Sequence, residues 1–130
     1  VIEIGDALHI VARLDAGVQE LIARVEARDY VQGIADFYHA EASMQENDGP
    51  PRVGRDLLIA HEKRTLERFA MTTRKVERFA ISGDTVFINW VFEMVGPDST
   101  VRMLDEITVQ TWRDDRIASE KFYYDPAQLR

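Results

Sequence analysis

The chain has 130 residues, of which 45% are hydrophobic and 30% charged, and its formal net charge is −7. This length predicts one domain over 1–130 with a core of its own, and the acidic balance disfavours nucleic acid and anionic membrane surfaces as partners. The absence of cysteine excludes disulfides, thiolate nucleophiles and zinc–thiolate sites. No stretch reaches the roughly 20 apolar residues of a membrane span, and the start lacks a signal-peptide pattern, so we expect a cytoplasmic protein.

The first half of the chain carries apolar residues at helical spacing. Asp15 is a plausible N-cap of the first helix, and Gly17 permits either a continuation or a break in this region. The apolar positions at helical spacing are Leu14, Val18, Leu21, Ile22 and Val25.

Two further helices are predicted before residue 70. Asp29 followed by Gln32 resembles a capping box and opens a short helix, after which "ASMQEN" is a short candidate strand ended by the turn-rich "NDGPP". A third helix spans 55–69, and its predicted inward stripe is Leu57, Leu58, His61, Thr65 and Phe69.

The second half of the chain reads as strands. Strand patterns occur in "TRKVERFAISG", "TVFINWVFEMV", "MLDEITVQTW" and "IASEKFYYD", and short turns separate them. Four strands joined by three turns predict an antiparallel meander. Helices that precede strands predict an α+β domain in which the helices pack on one face of a curved sheet.

The stretch "TVFINWVFEMV" is apolar on both of its alternating faces, with Trp90 on one face and Phe87 on the other. A strand with one solvent-exposed face should alternate apolar and polar residues. Because three helices can cover only one side of the sheet, we expect the second apolar face to meet another copy of the chain in a homodimer. The alternative is a strand buried centrally within one chain.

Three stretches resemble the SnoaL-like domains of the nuclear transport factor 2-like superfamily. "VQELIARVEARDYVQGIADFYHAEASMQEN" is similar to the family's opening, "GPPRVGRDLLIAHEKRTLERF" to its third helix, and "VQTWRDDRIASEKFYYDPAQL" to its closing hairpin. The resemblance covers residues 14–129. It implies a cone-shaped, cystatin-like α+β fold with a pocket between the helices and the concave sheet. Since this fold hosts isomerases, cyclases, dehydratases and binding domains, it assigns no reaction.

The ketosteroid isomerases of this superfamily align with the opening stretch without gaps. The resemblance places their general-base aspartate at Glu46, so a carboxylate is kept. Their oxyanion-donating tyrosine falls at Leu21, so that donor is missing, and their second donor, an aspartic acid, falls near Thr108. The histidine–aspartate pair of the polyketide cyclases has no match.

One face of "MLDEITVQTW" carries Glu106, Thr108, Gln110 and Trp112. If helices cover this face, its polar groups need partners, because an unsatisfied buried polar group costs roughly 1–3 kcal/mol. A pocket would supply ligand atoms or water, and Thr108 and Gln110 would then orient the ligand. If the face points outward, the polar groups are solvated and Trp112 is a rim or dimer contact.

Three further side chains are candidates for acid–base chemistry. Glu46 is either a pocket carboxylate with a raised pKa or a surface glutamate. Glu120 is either a pocket carboxylate or half of a cross-strand ion pair, and if it faces Glu106 one of the two keeps a proton. His61 is either a hydrogen-bonded core residue or a proton shuttle. Aromatic walls suit a flat apolar ligand, and the predicted wall is Tyr38, Trp90, Trp112, Phe122 and Tyr124.

The sequence has no phosphate-binding loop, tight metal-ligand spacing or nucleophile elbow, so we expect neither a metal nor a cofactor. Our first hypothesis is a pocket for a small apolar or aromatic molecule with isomerase, cyclase or dehydratase chemistry. Glu46 would take a proton from carbon or water, and His61 or a protonated Glu106 or Glu120 would donate to a developing oxyanion. The second hypothesis is a non-catalytic ligand-binding or dimerisation module.

Overall fold

Three helices pack on one face of a curved seven-stranded sheet in the computed structural model, which describes residues 4–130. The helices are α1 (Ile4–Glu26), α2 (Tyr30–Phe37) and α3 (Arg55–Arg68), and a short 3-10 turn, Pro126–Leu129, follows the last strand. The predicted α+β class is confirmed. Within the described part of the chain, no helix combines the length and the apolar character that a membrane crossing needs.

Helix α1 is continuous through Asp15, so the predicted N-cap there is wrong. The Asp15 carboxylate instead accepts from the Gln19 side chain one turn later, at 2.7 Å. The helix continues through Gly17, where a Cβ would lie only 3.3 Å from Cζ3 of Trp112, so the tryptophan ring packs closely against the helix backbone.

Helix α2 begins after Asp29, as predicted, but no capping box forms. The Asp29 carboxylate accepts from Arg24 at 2.9 Å, and Gln32 donates to Asp36 at 2.8 Å. Arg24 also donates to Asp36, at 2.8 Å. A charged network between α1 and α2 therefore takes the two side chains that would have closed the box.

The strands are β1 (Tyr38–Glu46), β2 (Arg52–Val53), β3 (Ala70–Thr73), β4 (Phe79–Ser82), β5 (Thr85–Val95), β6 (Val101–Arg113) and β7 (Arg116–Tyr123). The order across the sheet is β2-β1-β7-β6-β5-β3, and β4 also pairs with β5. Strands β5, β6 and β7 form the predicted antiparallel meander, while β1 runs parallel to β7.

The stretch predicted as one strand, "TRKVERFAISG", is interrupted. Thr73 pairs with Phe92 and Phe79 with Ile88, so residues 74–78 lie opposite only residues 89–91 and bulge out of the sheet. The bulge is held to the helical layer by Glu26 at the end of α1, whose carboxylate accepts from the backbone N–H of Val76 at 2.7 Å.

The inward stripe of α3 differs by one position from the prediction. Leu58 is 1% exposed, whereas Leu57 is 47% exposed and faces solvent. His61, Thr65 and Phe69 are half-buried on the inner side, as predicted.

The two faces of the sheet have different surroundings within one chain. The inner face of β5 is buried under the helices and consists of Val86, Ile88, Trp90, Phe92 and Met94. On the outer face, large apolar side chains stay exposed: Phe87, Val101, Ile107 and Tyr123.

Candidate active site

A cavity of about 350 Å³ lies between the three helices and the concave face of the sheet. Of the predicted site residues, Tyr38, Glu46, His61, Trp90, Glu106, Glu120, Phe122 and Tyr124 line it. The others, Thr108, Gln110 and Trp112, are not among its lining residues. They are buried behind it, at 0%, 0% and 4% exposure.

The polar face of β6 points inward, under the helices. Leu104, Glu106, Thr108, Gln110 and Trp112 are all buried, and the side chains that alternate with them are more exposed. This orientation corresponds to the first of the two alternatives, in which buried polar groups need partners. Protein groups supply those partners to Thr108 and Gln110, because both side chains donate to Glu120.

The Glu120 carboxylate accepts three hydrogen bonds. Its Oε1 accepts from the Tyr38 hydroxyl. Its Oε2 accepts from Thr108 Oγ1 and from Gln110 Nε2, both at 2.7 Å. The cross-strand ion pair considered as an alternative does not form: no salt bridge within residues 4–130 involves Glu120.

The orientation of the Gln110 amide is set by Trp112. The indole N–H can only donate, and it donates to Gln110 Oε1 at 2.9 Å. The amide NH₂ must therefore face Glu120, where it donates to Oε2 beside the Thr108 hydroxyl. The pKa of Glu120 is raised, because burial outweighs the three hydrogen bonds, which lower it. Since Glu106 lacks such donors, Glu120 is the more readily ionised of the two carboxyl groups.

Glu106 lies on the same buried face, opposite Trp90 on β5. It is 6% exposed, and within residues 4–130 no group donates to its carboxyl oxygens. No fully buried side-chain oxygen in this part of the chain lacks a partner, so these oxygens reach the cavity. Burial and the nearby Glu120 raise the pKa of Glu106 to about 8. Glu106 therefore holds a proton at neutral pH and can present it to a ligand.

Glu62 of α3 is a third carboxyl group in the cavity, and the sequence analysis missed it. It follows Leu58 by one helical turn and precedes Thr65, so it lies on the inward side of α3. Burial, and then the charges of Glu120 and Glu46, raise the pKa of Glu62 to about 7. At neutral pH it is divided between acid and carboxylate, which suits proton transfer in either direction.

The mouth of the cavity carries an ion pair. Glu46 accepts from Arg52 at 3.2 Å, and the two side chains are 43% and 34% exposed. His61 also lines this region, and burial followed by the charge of Arg52 lowers its pKa. Burial and the adjacent Glu46 raise the pKa of Tyr124. Of Glu46, His61 and Tyr124, only Glu46 forms a salt bridge within residues 4–130, with Arg52.

Aromatic side chains form much of the wall. The rings of Trp90 and Phe92 stack with centroids 5.9 Å apart, and Tyr30 meets Phe92 edge-on at 6.3 Å. The Tyr30 hydroxyl is hydrogen-bonded to Thr73 at 2.7 Å. Gly33 of α2 also faces the cavity, and nothing lies within 4 Å of where its Cβ would be.

The cavity carboxylates are not arranged as metal ligands. Among the described residues, no group of three or more histidine, cysteine, aspartate or glutamate side chains is placed to hold a metal ion. Acid–base chemistry, hydrogen bonding and charge stabilisation are what these side chains can supply by themselves.

Comparison with known structures identifies the same fold in other proteins. A candidate polyketide cyclase from Xanthomonas campestris pv. campestris is 19% identical to this chain and has a TM-score of 0.78. The alignment covers 91% of this chain and 94% of the cyclase chain. An epoxide hydrolase from M. tuberculosis is 12% identical, with 91% and 86% covered and a TM-score of 0.74. A protein of ketosteroid isomerase-like fold from Catenulispora acidiphila, solved in complex with trimethylamine, is 17% identical, with 83% and 88% covered and a TM-score of 0.72.

These identities establish a shared fold. A comparison with curated proteins found no significant match. The SnoaL-like domain model, in contrast, matches residues 18–120, which is most of the chain. The protein therefore belongs to the SnoaL-like domain family and has the nuclear transport factor 2-like fold.

Proposed function

We propose that the cavity binds a small, largely apolar or aromatic molecule and that the protein catalyses a cofactor-independent proton-transfer reaction of the isomerase, cyclase or dehydratase kind. One observation carries this proposal: two buried carboxyl groups on one sheet face have opposite surroundings. Glu106 has no donor within residues 4–130 and a pKa of about 8, whereas Glu120 accepts three hydrogen bonds. When their environments push the pKa values of two titratable groups apart, one group typically acts as the acid and the other as the base.

Glu106 is the general acid in this proposal. Its proton passes from the carboxyl oxygen to an oxygen of the bound molecule, and Glu106 is left as a carboxylate. In a dehydration, the C–O bond then breaks and its electron pair leaves with the water that forms. Since general acid catalysis contributes about 10²–10⁴-fold in typical enzymes, loss of this proton would produce a measurable defect.

Glu62 is the general base. Its carboxylate form takes a proton from carbon, and the C–H electron pair becomes the new double bond. The hypothesis from the sequence gave this role to Glu46. The ion pair between Glu46 and Arg52 at the cavity mouth favours Glu62 instead, because Glu62 is more buried and no salt bridge within residues 4–130 involves it.

The charge of the cavity favours a reaction in which the bound molecule becomes more positive. A carboxylate at Glu120 and the rings of Trp90 and Phe92 would stabilise positive charge beside Glu106. A developing oxyanion would instead meet Glu120 and Glu62. Acid-assisted departure or opening of a C–O bond fits this field better than enolate formation does. Two of the similar structures, the epoxide hydrolase and the candidate polyketide cyclase, support a small-molecule role for such a cavity.

A second candidate function is ligand binding without catalysis. The apolar Leu21 lines the cavity at the position where the ketosteroid isomerase resemblance implies a donating tyrosine, and this favours a non-catalytic module. The two functions differ in what Glu106→Gln does. An amide keeps a hydrogen-bond donor but has no transferable proton, so an enzyme would lose turnover while it retains binding.

The outer face of the sheet supports a homodimer. Phe87, Val101, Ile107 and Tyr123 are between 39% and 54% exposed on this one face of the chain. An exposed apolar patch of this kind is typical of an interface. In the proposal a second copy covers it, and the cavity mouth on the other side of the sheet remains open.

The experiment that tests the proposed function combines binding with turnover. A panel of small flat epoxides, tertiary alcohols, ketones and lactones is titrated into the wild-type protein while tryptophan fluorescence is followed, and bound compounds are then assayed for product by NMR. We expect saturable binding by a subset and turnover that Glu106→Gln reduces at least 100-fold. Glu67→Gln, on the exposed side of α3, is the matched control. Absence of saturable binding across the panel would overturn the proposal.

A further inference from the structure

The cavity holds more acidic groups than its own cations can balance. Four carboxyl groups line it, and Arg52 is the only lysine or arginine among its described lining residues. Arg52 is already paired with Glu46 at the mouth. Glu62, Glu106 and Glu120 therefore share the interior without a cationic partner from residues 4–130.

Glu106 gives an independent indication that a ligand completes this site. It is more than nine-tenths buried, it lines the cavity, and no group within the described residues donates to its carboxyl oxygens. Buried polar groups in native proteins are nearly always satisfied. Because the Glu106 oxygens open into the cavity, the group that faces them there is water or a bound ligand.

The aromatic wall beside Glu106 is suited to positive charge. Trp90 lies opposite Glu106 on the neighbouring strand, on the same buried face, and its ring stacks on Phe92. Ring faces attract cations, most strongly where water is excluded, and tryptophan is the most effective of them. An anionic ligand would meet repulsion from the ring faces and from Glu120.

We infer that the cavity also binds small organic cations, and specifically that a tertiary or quaternary ammonium group lies beside Glu106, Glu120 and the Trp90 ring. The apolar substituents of the cation lie against Leu21, Ile34 and Met94. This inference rests on the proposed function, because the ammonium group occupies the place where the reacting molecule becomes positive.

Proton release is the signature of this binding mode. Without ligand, the pKa of Glu106 is about 8 and that of Glu62 about 7. A nearby cation lowers both values, so its binding at neutral pH expels protons, and its affinity rises with pH. A neutral acceptor behaves in the opposite way, because it needs the Glu106 proton. The other titratable or charged side chains that face this space are Tyr30, Tyr38, Glu46, Arg52, His61, Glu120 and Tyr124.

Isothermal titration calorimetry with three probes tests the inference. Benzyltrimethylammonium carries a permanent charge, 4-phenyl-2-butanone is a neutral acceptor, and phenylacetate is an anion. Each is titrated into the wild-type protein at pH 6, 7 and 8, in phosphate and in Tris. The two buffers differ in ionisation enthalpy, so the difference between their apparent binding enthalpies counts the protons released.

We expect benzyltrimethylammonium to bind with release of about one proton at pH 7, and its affinity to rise about tenfold or more from pH 6 to pH 8. Phenylacetate should not bind. Glu106→Gln should reduce both the number of protons released and the affinity for the cation, while Glu67→Gln leaves both unchanged. The wild-type proton count needs no variant, so the test holds even if Glu106→Gln folds poorly.

Different results of this experiment would contradict the cation inference and the proposed function. If the ketone binds more tightly at low pH and the cation does not bind, the cation inference is overturned and the acid role of Glu106 is supported. If the cation binds without proton release, the inference is also overturned, because Glu106 is then not its partner. If neither the ketone nor the cation binds at any pH, both proposals are contradicted.

Discussion

Glu106 and Glu120 lie on one buried face of neighbouring strands, but they differ in the hydrogen-bond donors that the protein supplies to their carboxyl groups. Glu120 accepts hydrogen bonds from Tyr38, Thr108 and Gln110. Glu106 accepts none from the part of the chain that the structure describes, and it faces the cavity. Two adjacent carboxyl groups cannot both be ionised cheaply, so this asymmetry decides that Glu106 keeps the proton.

The first prediction concerns stability against pH. The pKa of Glu106 rises from an ordinary 4.5 to about 8 on folding. Because the folded state binds this proton more tightly, the contribution of Glu106 is fully present below about pH 4.5 and is lost as the pH rises to about 8. The loss is on the order of 1.4 kcal/mol per unit of pKa shift.

Glu106→Gln should therefore flatten the profile and make the protein more stable than wild type at pH 8.5, by a few kcal/mol on the same scale. Urea unfolding at pH 5, 7 and 8.5 measures this, with Glu67→Gln as the control. Glu62, with a pKa of about 7, leaves a smaller residual slope in the variant. A variant that retains the full wild-type slope would show that Glu106 titrates normally.

The second prediction concerns the donors to Glu120. Thr108→Val preserves shape but removes the hydroxyl that donates to Glu120 at 2.7 Å. It should lower the free energy of unfolding by about 1–3 kcal/mol, because a buried charged group loses a partner, and should raise the pKa of Glu120. Chemical denaturation and a carboxyl-carbon NMR titration measure the two effects. Thr111→Val, on the outer face of the same strand, should change neither; equal effects at both positions would contradict the role of the hydroxyl.

The third prediction is that two glycine-to-alanine substitutions change the free energy of unfolding in opposite directions. Gly33→Ala places a methyl group in open cavity space and should stabilise the protein by about 0.5–1 kcal/mol through helix propensity. Gly17→Ala should destabilise it, because the new Cβ would lie 3.3 Å from a Trp112 ring that is buried and hydrogen-bonded to Gln110. Thermal or urea unfolding of both variants is the measurement. Stabilisation by Gly17→Ala would mean that the indole ring can move.

The elements that periodicity defines were predictable from the sequence. The three helices and the meander follow from where apolar side chains recur, whereas the direction of the Glu106 face was left open by the sequence. The interruption after Thr73 did not follow, because residues 74–78 contain no glycine or proline to mark a break and only their pairing with β5 reveals the bulge. The predicted capping box failed for a similar reason, since Arg24 on another helix competes for the Asp29 carboxylate.

The site was predictable in outline and less so in its details. Glu106 and Glu120 were predicted as site residues, but Glu62 was missed because the predicted inward stripe of α3 did not include it. Its position one turn after Leu58 was the available signal. The analysis also expected Thr108 and Gln110 to meet the ligand. Whether a polar side chain reaches a ligand or a neighbour depends on distances between strands, and here Glu120 lies close enough to accept both donors.

The fourth prediction concerns the outer face of the sheet. Ile107 is 46% exposed in one chain, and a carboxylate there would be buried in the proposed homodimer. Ile107→Glu should therefore produce a monomer, whereas Val53→Glu, at a position 60% exposed on β2, should leave the dimer intact. Sedimentation velocity at micromolar concentration distinguishes the species from the 14.9 kDa chain mass. A wild-type protein that sediments as a monomer would contradict the dimer.

The most direct test of the acid–base account is a carboxyl-carbon NMR titration of Glu106 in the unliganded protein, with its resonance assigned through Glu106→Gln. The account predicts a pKa of about 8, so that the group is protonated at neutral pH beside an ionised Glu120. A pKa near the ordinary 4.5 would contradict it, because Glu106 would then have no proton to donate in the physiological range.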